Sequence, residues 1–489
     1  MSIINHITSH STNPNPLSFL HLPTKSEVGS DAIIDKWEGR SPILKAMFDG
    51  GTIFDAFMME AAQLVGQSLL SLPWIFSLMG YASSIFFIFF FSLLSLWTNH
   101  LVITMLAQYR YEIKVADDPR SNDVHYVASY HDVIEHFAGR RWSIFTLVVV
   151  AVALFGLCIA QIIATASNIF LLQDEANYAL SKRSLTLIVG GFFLLVALVP
   201  TAREYRPFSM LAVFATFYTA CYMTTASIVE GPAEDVQYGE GGLSTGQGFV
   251  NFFLGLVAII FNFGGLSATI EKADVMDDRV RNRYDQGYLG AVLYSYIVTI
   301  PIGVAAYHTF GSLCQSAPNS FYLFQPSLAR TVGVILMSLH EFVAFGLFAN
   351  PLFSIIEKAM GTQGCSLFPR RLPMRVLLLG FFVFISVMAP FFGTINGLFA
   401  AFTTSFGTYI IPMVGYNIAF SSEAQTNDLQ KQHPKWISTI SSFKGIRYVN
   451  WFFGAAILIF GVGFGGYSSI VTLVEDVDSF SVFPKCYEC

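Results

Sequence analysis

The residues of this chain with chemistry to offer sit in apolar surroundings. Glu60, Gln63 and Gln67 are spaced by three and four positions, which places them on one helical face. That face leads into Val65-Gly66-Gln67-Ser68, where glycine frees the backbone from helical geometry. A second apolar stretch is interrupted in the same manner by Phe263-Gly264-Gly265-Leu266-Ser267, and Glu271 closes it just before Lys272. His340 and Glu341 form a third polar point. Adjacent side chains project about 100° apart on a helix, so one of the two lines a site while the other supports it. Gln161 and Asn168 share a face of a further apolar segment and border the same cavity.

The chemistry these types allow is hydrogen bonding to a solute by the amides, and proton carriage by Glu60, His340 or Glu341. Each has a plainer alternative. Gln63 and Gln67 also suit hydrogen-bonded glue between helices, Glu60 suits solvation near the start of its segment, and His340-Glu341 suits a structural bond to a neighbour. For Glu271 an inner-gate salt bridge serves as well as catalysis. There is no HExxH, no GxSxG with partners, no GxxxxGK(S/T) and no paired metal-ligand cluster, so neither reaction chemistry on the substrate nor nucleotide-driven pumping is expected of this chain.

What must position these residues is a set of membrane spans. The chain is 54% hydrophobic and only 12% charged, against about 25% charged in soluble domains. Its mean hydropathy is +0.55. Apolar runs near 53–78, 82–107, 143–171, 184–200, 208–229, 247–270, 287–310, 329–357, 374–392, 395–419 and 448–472 are each long enough to cross hydrocarbon, which makes about eleven spans. Basic residues alternate from side to side. Lys25, Lys36, Arg40 and Lys45 precede the first span, and Arg110 to Arg141, Arg203-Arg206, Lys272-Arg283, Lys358-Arg375 and Lys431-Arg447 fall on the same side. The stretches Glu230–Gln247 and Gly311–Ala329 carry no Lys or Arg. The N-terminus is therefore expected in the cytoplasm and the C-terminus outside. Residues 1–50 read as a polar, disordered cytoplasmic tail without a cleavable signal, 51–472 as one membrane domain of eleven spans and 473–489 as an extracellular tail. The net charge of −6 is spread over loops and tails and points to no nucleic-acid partner. Cys158 and Cys221 read as packing residues within spans; Cys314, Cys486 and Cys489 fall on the outer side, where a disulfide is permitted.

Breaks in two spans at matching depth are the sequence mark of a secondary transporter's binding site, because unwound backbone at that depth must be satisfied by protein or by a bound solute. Many stretches carry a closer resemblance. Asp55-Ala56 through Gln67-Ser68-Leu69-Leu70-Ser71-Leu72-Pro73, Ser95-Leu96-Trp97-Thr98, Ala166-Ser167-Asn168-Ile169, Phe263-Gly264-Gly265 with Thr269 and Glu271, and His340 with Phe345-Gly346 and Glu357-Lys358 all belong to it. So do Pro390-Phe391-Phe392-Gly393, Tyr409-Ile410-Ile411-Pro412 and the tail Val477-Asp478-Ser479-Phe480 with Lys485-Cys486-Tyr487 and Cys489. From about Gly50 to Cys489 the chain resembles the plant auxin influx carriers, the AUX/LAX branch of the amino acid/auxin permease family.

The resemblance implies an all-α membrane protein of eleven helices with LeuT-type inverted five-helix repeats, helices 1 and 6 broken at the substrate. It implies a plasma-membrane importer, read here as monomeric, that takes up a small carboxylate with a proton as coupling ion and no cofactor. Indole-3-acetic acid is the leading substrate, and a neutral or aromatic amino acid is the alternative. A non-transporting sensor would call for a long structured tail or loss of both glycine breaks, and neither is seen. Half-helix amides suit a carboxylate, and Phe261, Phe263 and Phe345 suit a ring. Gln63, Val65, Gly66, Gln67, Gln161, Phe263, Gly264, Gly265, Leu266, Ser267 and Phe345 are accordingly the expected substrate residues, with His340, Glu341 and Glu60 for the proton and Glu271 for a gate. One departure matters. Auxin carriers have His directly after the Gly-Gly of the sixth helix, where this chain has Leu266. Glu60 replaces a small residue, Glu341 a Gln and His100 a Tyr, so the titratable role is expected to have moved to Glu341 with His340.

Overall fold

Apolar length and local caps account for the helices. The computed structural model describes residues 52–122, 126–173, 180–199, 205–232, 236–238, 246–274, 276, 281, 283–362, 365, 367–388, 392–421 and 445–478, all within the unit Gly50–Cys489. Two of the expected segments, 1–50 and most of 473–489, fall largely outside that range, as do Cys486 and Cys489.

The first span begins at a capping box. Thr52 accepts the Asp55 amide at 3.3 Å, and Asp55 returns a bond to the Thr52 amide at 2.9 Å. Helix α1 (Ile53–Leu64) stops at Val65, and α2 (Gly66–Met79) sets off at 48° to it. There follow α3 (Tyr81–Val115), a short amphipathic α4 (Tyr130–Ala138), α5 (Arg140–Phe170), α6 (Lys182–Phe193) and α7 (Arg206–Glu230). Next come α8 (Gln247–Asn262), a 3-10 turn Gly264–Ala268 and α9 (Thr269–Asp274), then α10 (Tyr284–Phe310) and α11 (Leu328–Ala359). The remainder is α12 (Leu372–Met388), α13 (Phe392–Phe399), a π-helical stretch Ala400–Ile410, α14 (Ile411–Ala419), α15 (Ile446–Ile457) and α16 (Gly466–Asp478), with a second π-helical stretch, Leu458–Gly465, between the last two.

Among the described residues eight helices are long and apolar enough to cross a bilayer, or nine with the bent α1–α2 pair as one span. The other two segments of the sequence reading are shorter as helices. Gln247–Asn262 has 16 residues before its 3-10 turn, and Lys182–Phe193 has 12 before the 3-10 turn Leu194–Leu198. Backbone irregularity therefore separates the two counts. The last helix runs to Asp478, past the expected end of the final span at 472.

The outside of the bundle is greasy. Phe86, Leu93, Ile297, Leu377 and Phe384 are all exposed, as suits side chains facing acyl chains. Cys221 is exposed as well, contrary to its expected packing role, while Cys158 and Cys314 are buried.

Polar clamps hold the inside. Asp285 of α10 accepts from Asn99 (2.8 Å) and lies 2.9 Å from His100 Nδ1, so the unusual His100 fastens α3 to α10. Trp97 donates to Asn450 at 2.9 Å and Asn450 to Asn417 at 2.9 Å, linking α3, α15 and α14. Glu357 of α11, 1% exposed, takes Arg375 Nε at 2.7 Å and Arg371 Nη2 at 2.8 Å, while Arg375 also donates to the Val199 carbonyl at 2.6 Å. Removing one partner of such a buried pair strands the other, at about 3–5 kcal/mol. Glu357→Leu is expected to lower the melting temperature of the purified protein by that loss. Glu357→Leu/Arg375→Met, which leaves less buried charge unpaired, should recover much of it in the same thermal melt.

Candidate functional site

Two interruptions face each other across one small cavity. At the first, α1 ends and α2 begins on either side of Val65; the freed carbonyl of Leu64 accepts from the Ser68 hydroxyl at 2.6 Å, while the Val65 carbonyl keeps its helical bond from the Leu69 amide at 3.0 Å and also lies 3.0 Å from Ser68 Oγ. At the second, the Phe263 carbonyl takes Ser95 Oγ at 3.5 Å and the Gly264 carbonyl takes Thr408 Oγ1 at 3.4 Å. Hydroxyls thus replace the missing intrahelical donors.

The cavity is lined by Gln63, Leu64, Gly66 and Ser68 from the first break, Phe261, Asn262 and Gly265 from the second, Leu157 and Gln161 from α5, and His340, Ala344 and Phe348 from α11. Its water-accessible volume is about 20 Å³, room for roughly one water by the usual measure. Admission of an aromatic solute therefore requires these walls to part.

Its polar groups have defined roles. His340 is wholly buried, and its Nδ1 lies 3.1 Å from the Ala212 carbonyl. A carbonyl only accepts, so Nδ1 carries a hydrogen and Nε2 of the neutral ring is a bare acceptor. Nε2 has no protein partner among the described residues, and neither do Gln63 Nε2 and Gln161 Oε1. Gly66 makes room for the imidazole, since a Cβ at that position would overlap the His340 ring. His340 is the one titratable side chain among the described lining residues.

Beside the cavity sits a buried charge cluster. Lys272 and Glu60 are both fully buried, with Nζ 2.6 Å from Glu60 Oε1. Glu60 also accepts from Tyr284 and, at 3.4 Å, from Thr269, while Lys272 donates to Gln63 Oε1. Glu60 is therefore not solvated, and Gln63 belongs both to this cluster and to the cavity wall.

The structure brings together Gln63, Gly66, Gln161, Gly265 and His340 from the residues singled out in the sequence, with Phe261 as a ring contact. Others fall elsewhere. Phe345 points away, its ring 4.6 Å from that of Phe193 and 6.0 Å from that of Phe382. It is five positions past His340 and so about 140° round the helix. Phe263 is buried behind the break, Gly264 packs against Thr404, Ser267 faces Gly407, and Val65 serves as the backbone joint; none of these side chains is on the cavity wall. Glu341 is fully buried behind the wall, and neither carboxylate oxygen has a partner among the described residues. Glu271 accepts the Tyr130 amide at 3.3 Å, so it ties the end of the second break to α4, whereas the ion pair at this end of the site belongs to Lys272. Asn168 pairs with Asn319 at 2.8 Å instead of bordering the cavity. The side chains of Gln67 and Leu266 lie outside the described residues.

Leu157, Asn262, Ala344 and Phe348 are lining residues that the sequence reading did not name. Spacing of four was the available signal: Leu157 precedes Gln161 by four, and Ala344 and Phe348 follow His340 by four and eight. Gly66→Ala should push the His340 ring out of place and abolish solute binding while leaving a monodisperse, folded protein, as read by ligand-induced thermal shift and size-exclusion profile.

The chain matches the family described as Transmembrane amino acid transporter protein over residues 49–464. It is 32% identical over 450 residues to Auxin transporter-like protein 2 of Arabidopsis thaliana, covering 92% of this chain and 90% of that one. It is likewise 32% identical over 450 residues to Auxin transporter-like protein 5 of Medicago truncatula (92% and 88%) and over 443 residues to Auxin transporter protein 1 of Arabidopsis thaliana (91% and 88%). Among solved structures it is similar to MhsT in complex with L-phenylalanine, with a TM-score of 0.55 over 86% of this chain and 98% of that one. At 11% identity that likeness is one of fold.

Proposed function

Because this chain belongs to the transmembrane amino acid transporter family, in the auxin transporter-like branch of the amino acid/auxin permeases, we propose that it is a proton-coupled importer of a small carboxylate bearing an aromatic or apolar group. Indole-3-acetic acid is the leading substrate. The observation that carries this reading is the cavity between the two breaks, where His340 Nε2 and Gln63 Nε2 have no partner among the described residues and stand beside Phe261, Phe348 and Leu157. The apolar side suits a ring and the polar side suits a carboxylate.

Coupling follows from the His340 tautomer. With Nδ1 committed to Ala212, the neutral ring offers a lone pair to the cavity, which repels a carboxylate oxygen. A proton on Nε2 turns that repulsion into a charge-assisted hydrogen bond. Substrate and proton then bind together, and each leaves more readily once the other has gone. Glu341, next in sequence and without a partner among the described residues, is the group from which or to which that proton passes. The working unit is an eleven-helix, LeuT-type monomer of the plasma membrane, with a cytoplasmic N-terminus and an extracellular C-terminus; this arrangement rests on the loop charges and the family. A neutral or aromatic amino acid is the second reading, favoured by Gln161 Oε1, an acceptor on a lining residue with no partner among the described residues, which suits an ammonium.

Uptake of radiolabelled indole-3-acetic acid into oocytes, at acidic and neutral external pH and with tryptophan, phenylalanine and alanine as competitors, separates the two. Acid-stimulated uptake that ignores the amino acids supports auxin, and uptake of the amino acids instead transfers the assignment to them. In the same assay His340→Gln should cut acid-stimulated uptake about ten- to a hundredfold, the weight of one charge-assisted bond. Glu341→Gln should flatten the pH dependence; uptake with an unchanged pH profile would remove Glu341 from the proton path.

A further inference from the structure

Lys272 does more than neutralise Glu60. An ammonium has only hydrogens to give, so the Gln63 atom that meets it is the carbonyl oxygen. Turning the amide over would set its NH₂ against the ammonium, donor to donor. The orientation is thus locked, and the other end of the amide, Nε2, is buried without a partner among the described residues, on a residue that lines the cavity. The lysine itself is held by Glu60, whose Oε1 also takes Tyr284 and Thr269, so that a charge with no access to water is paired and fixed. Glu60 and Gln63 come from α1 and Lys272 from α9, and together they join the two interrupted segments at the cavity's edge.

We infer that Lys272 is a specificity-determining positioning residue: by fixing Gln63 as a hydrogen-bond donor toward the cavity, it makes the site select an anionic, acceptor-only head group over its uncharged amide. The inference rests on the carboxylate reading above and adds the residue that enforces it. The lysine's positive charge also polarises the Gln63 amide in the sense that favours an anion. It acts through Gln63 and is not itself on the cavity wall.

The decisive variant is Glu60→Lys/Lys272→Glu in the full-length chain. It keeps an ion pair across the same two helices but reverses its sense, so that the new carboxylate calls for the Gln63 NH₂ and the amide carbonyl turns to the cavity. Affinities are read by thermal-shift titration of the purified protein with indole-3-acetate, indole-3-acetamide, L-phenylalanine and L-phenylalaninamide. The wild type should prefer each acid to its amide, and the reversed pair should lower that ratio about ten- to a hundredfold. A reversed pair that keeps the wild-type ratio would show Lys272 to be a structural tether alone and overturn the inference while leaving the carboxylate reading intact. A wild type that binds acid and amide alike, or neither, overturns the carboxylate reading and the inference with it. Should the reversed pair fail to fold, Glu60→Leu/Lys272→Met replaces the charges by apolar groups of similar volume, an exchange that is often tolerated. There the freed amide should bring the acid-to-amide ratio down, and an unchanged ratio overturns the inference equally.

Discussion

A helix interrupted at membrane depth exposes peptide groups that hydrocarbon cannot satisfy, and much of this molecule is arranged around that constraint. The carbonyls freed at Leu64, Phe263 and Gly264 are met by hydroxyls of Ser68, Ser95 and Thr408. Ser68 lies on α2 itself, four residues past Leu64, while Ser95 of α3 and Thr408 of the π-helical stretch Ala400–Ile410 bind the second break to two elements distant in sequence. Satisfying the backbone also fixes the walls of the cavity. The small residues at the breaks have a steric part as well: Gly66 admits the His340 ring, and Gly265 lies against Gln63.

Charge is treated with the same economy. Glu60 and Lys272 are both removed from water, a costly arrangement unless each finds partners, and each does. Farther along the same helix, Asp274 takes Arg110 Nε at 2.7 Å and the Ala128 amide at 2.7 Å, and Glu271 takes the Tyr130 amide. The short helix α9 is therefore tied through three successive charged residues to α1, α3 and the start of α4. Any opening of the cavity toward this end of the bundle has to break or carry along these contacts. Glu341 stands apart from this pattern, as a buried carboxyl whose oxygens have no partner among the described residues.

Much of the plan was legible in the chain. Apolar runs long enough to cross a bilayer announce the helices, because hydrocarbon thickness and helical rise are constants. Glycines in two of those runs mark the interruptions. Spacing of three places Glu60 and Gln63 on one face, and they do share the Lys272 ammonium. The polarity of His340 in an apolar run marked it for the site. The count of spans differs because 3-10 turns at Leu194–Leu198, just before Pro200, and at Gly264–Ala268, on the Gly-Gly itself, end the regular helices short of the apolar runs.

Rotation about helix axes and pairing between helices were decided only in three dimensions. Phe345 and Phe348 look equivalent as aromatic residues after His340, yet one packs against Phe193 and the other lines the cavity. Charge sign makes Lys272, not Glu271, the one of the two that can pair with Glu60, but that they meet at all depends on how α9 leaves its 3-10 turn. The orientation of the Gln63 amide likewise comes from a lysine 209 positions away. The sequence by itself determined which segments are apolar enough to cross a bilayer, where glycine loosens their backbone and which polar residues they carry, since these follow from local hydrophobicity and backbone freedom. The tertiary structure decided which of those polar residues meet, because a hydrogen bond or ion pair between helices depends on register and rotation that no single segment contains.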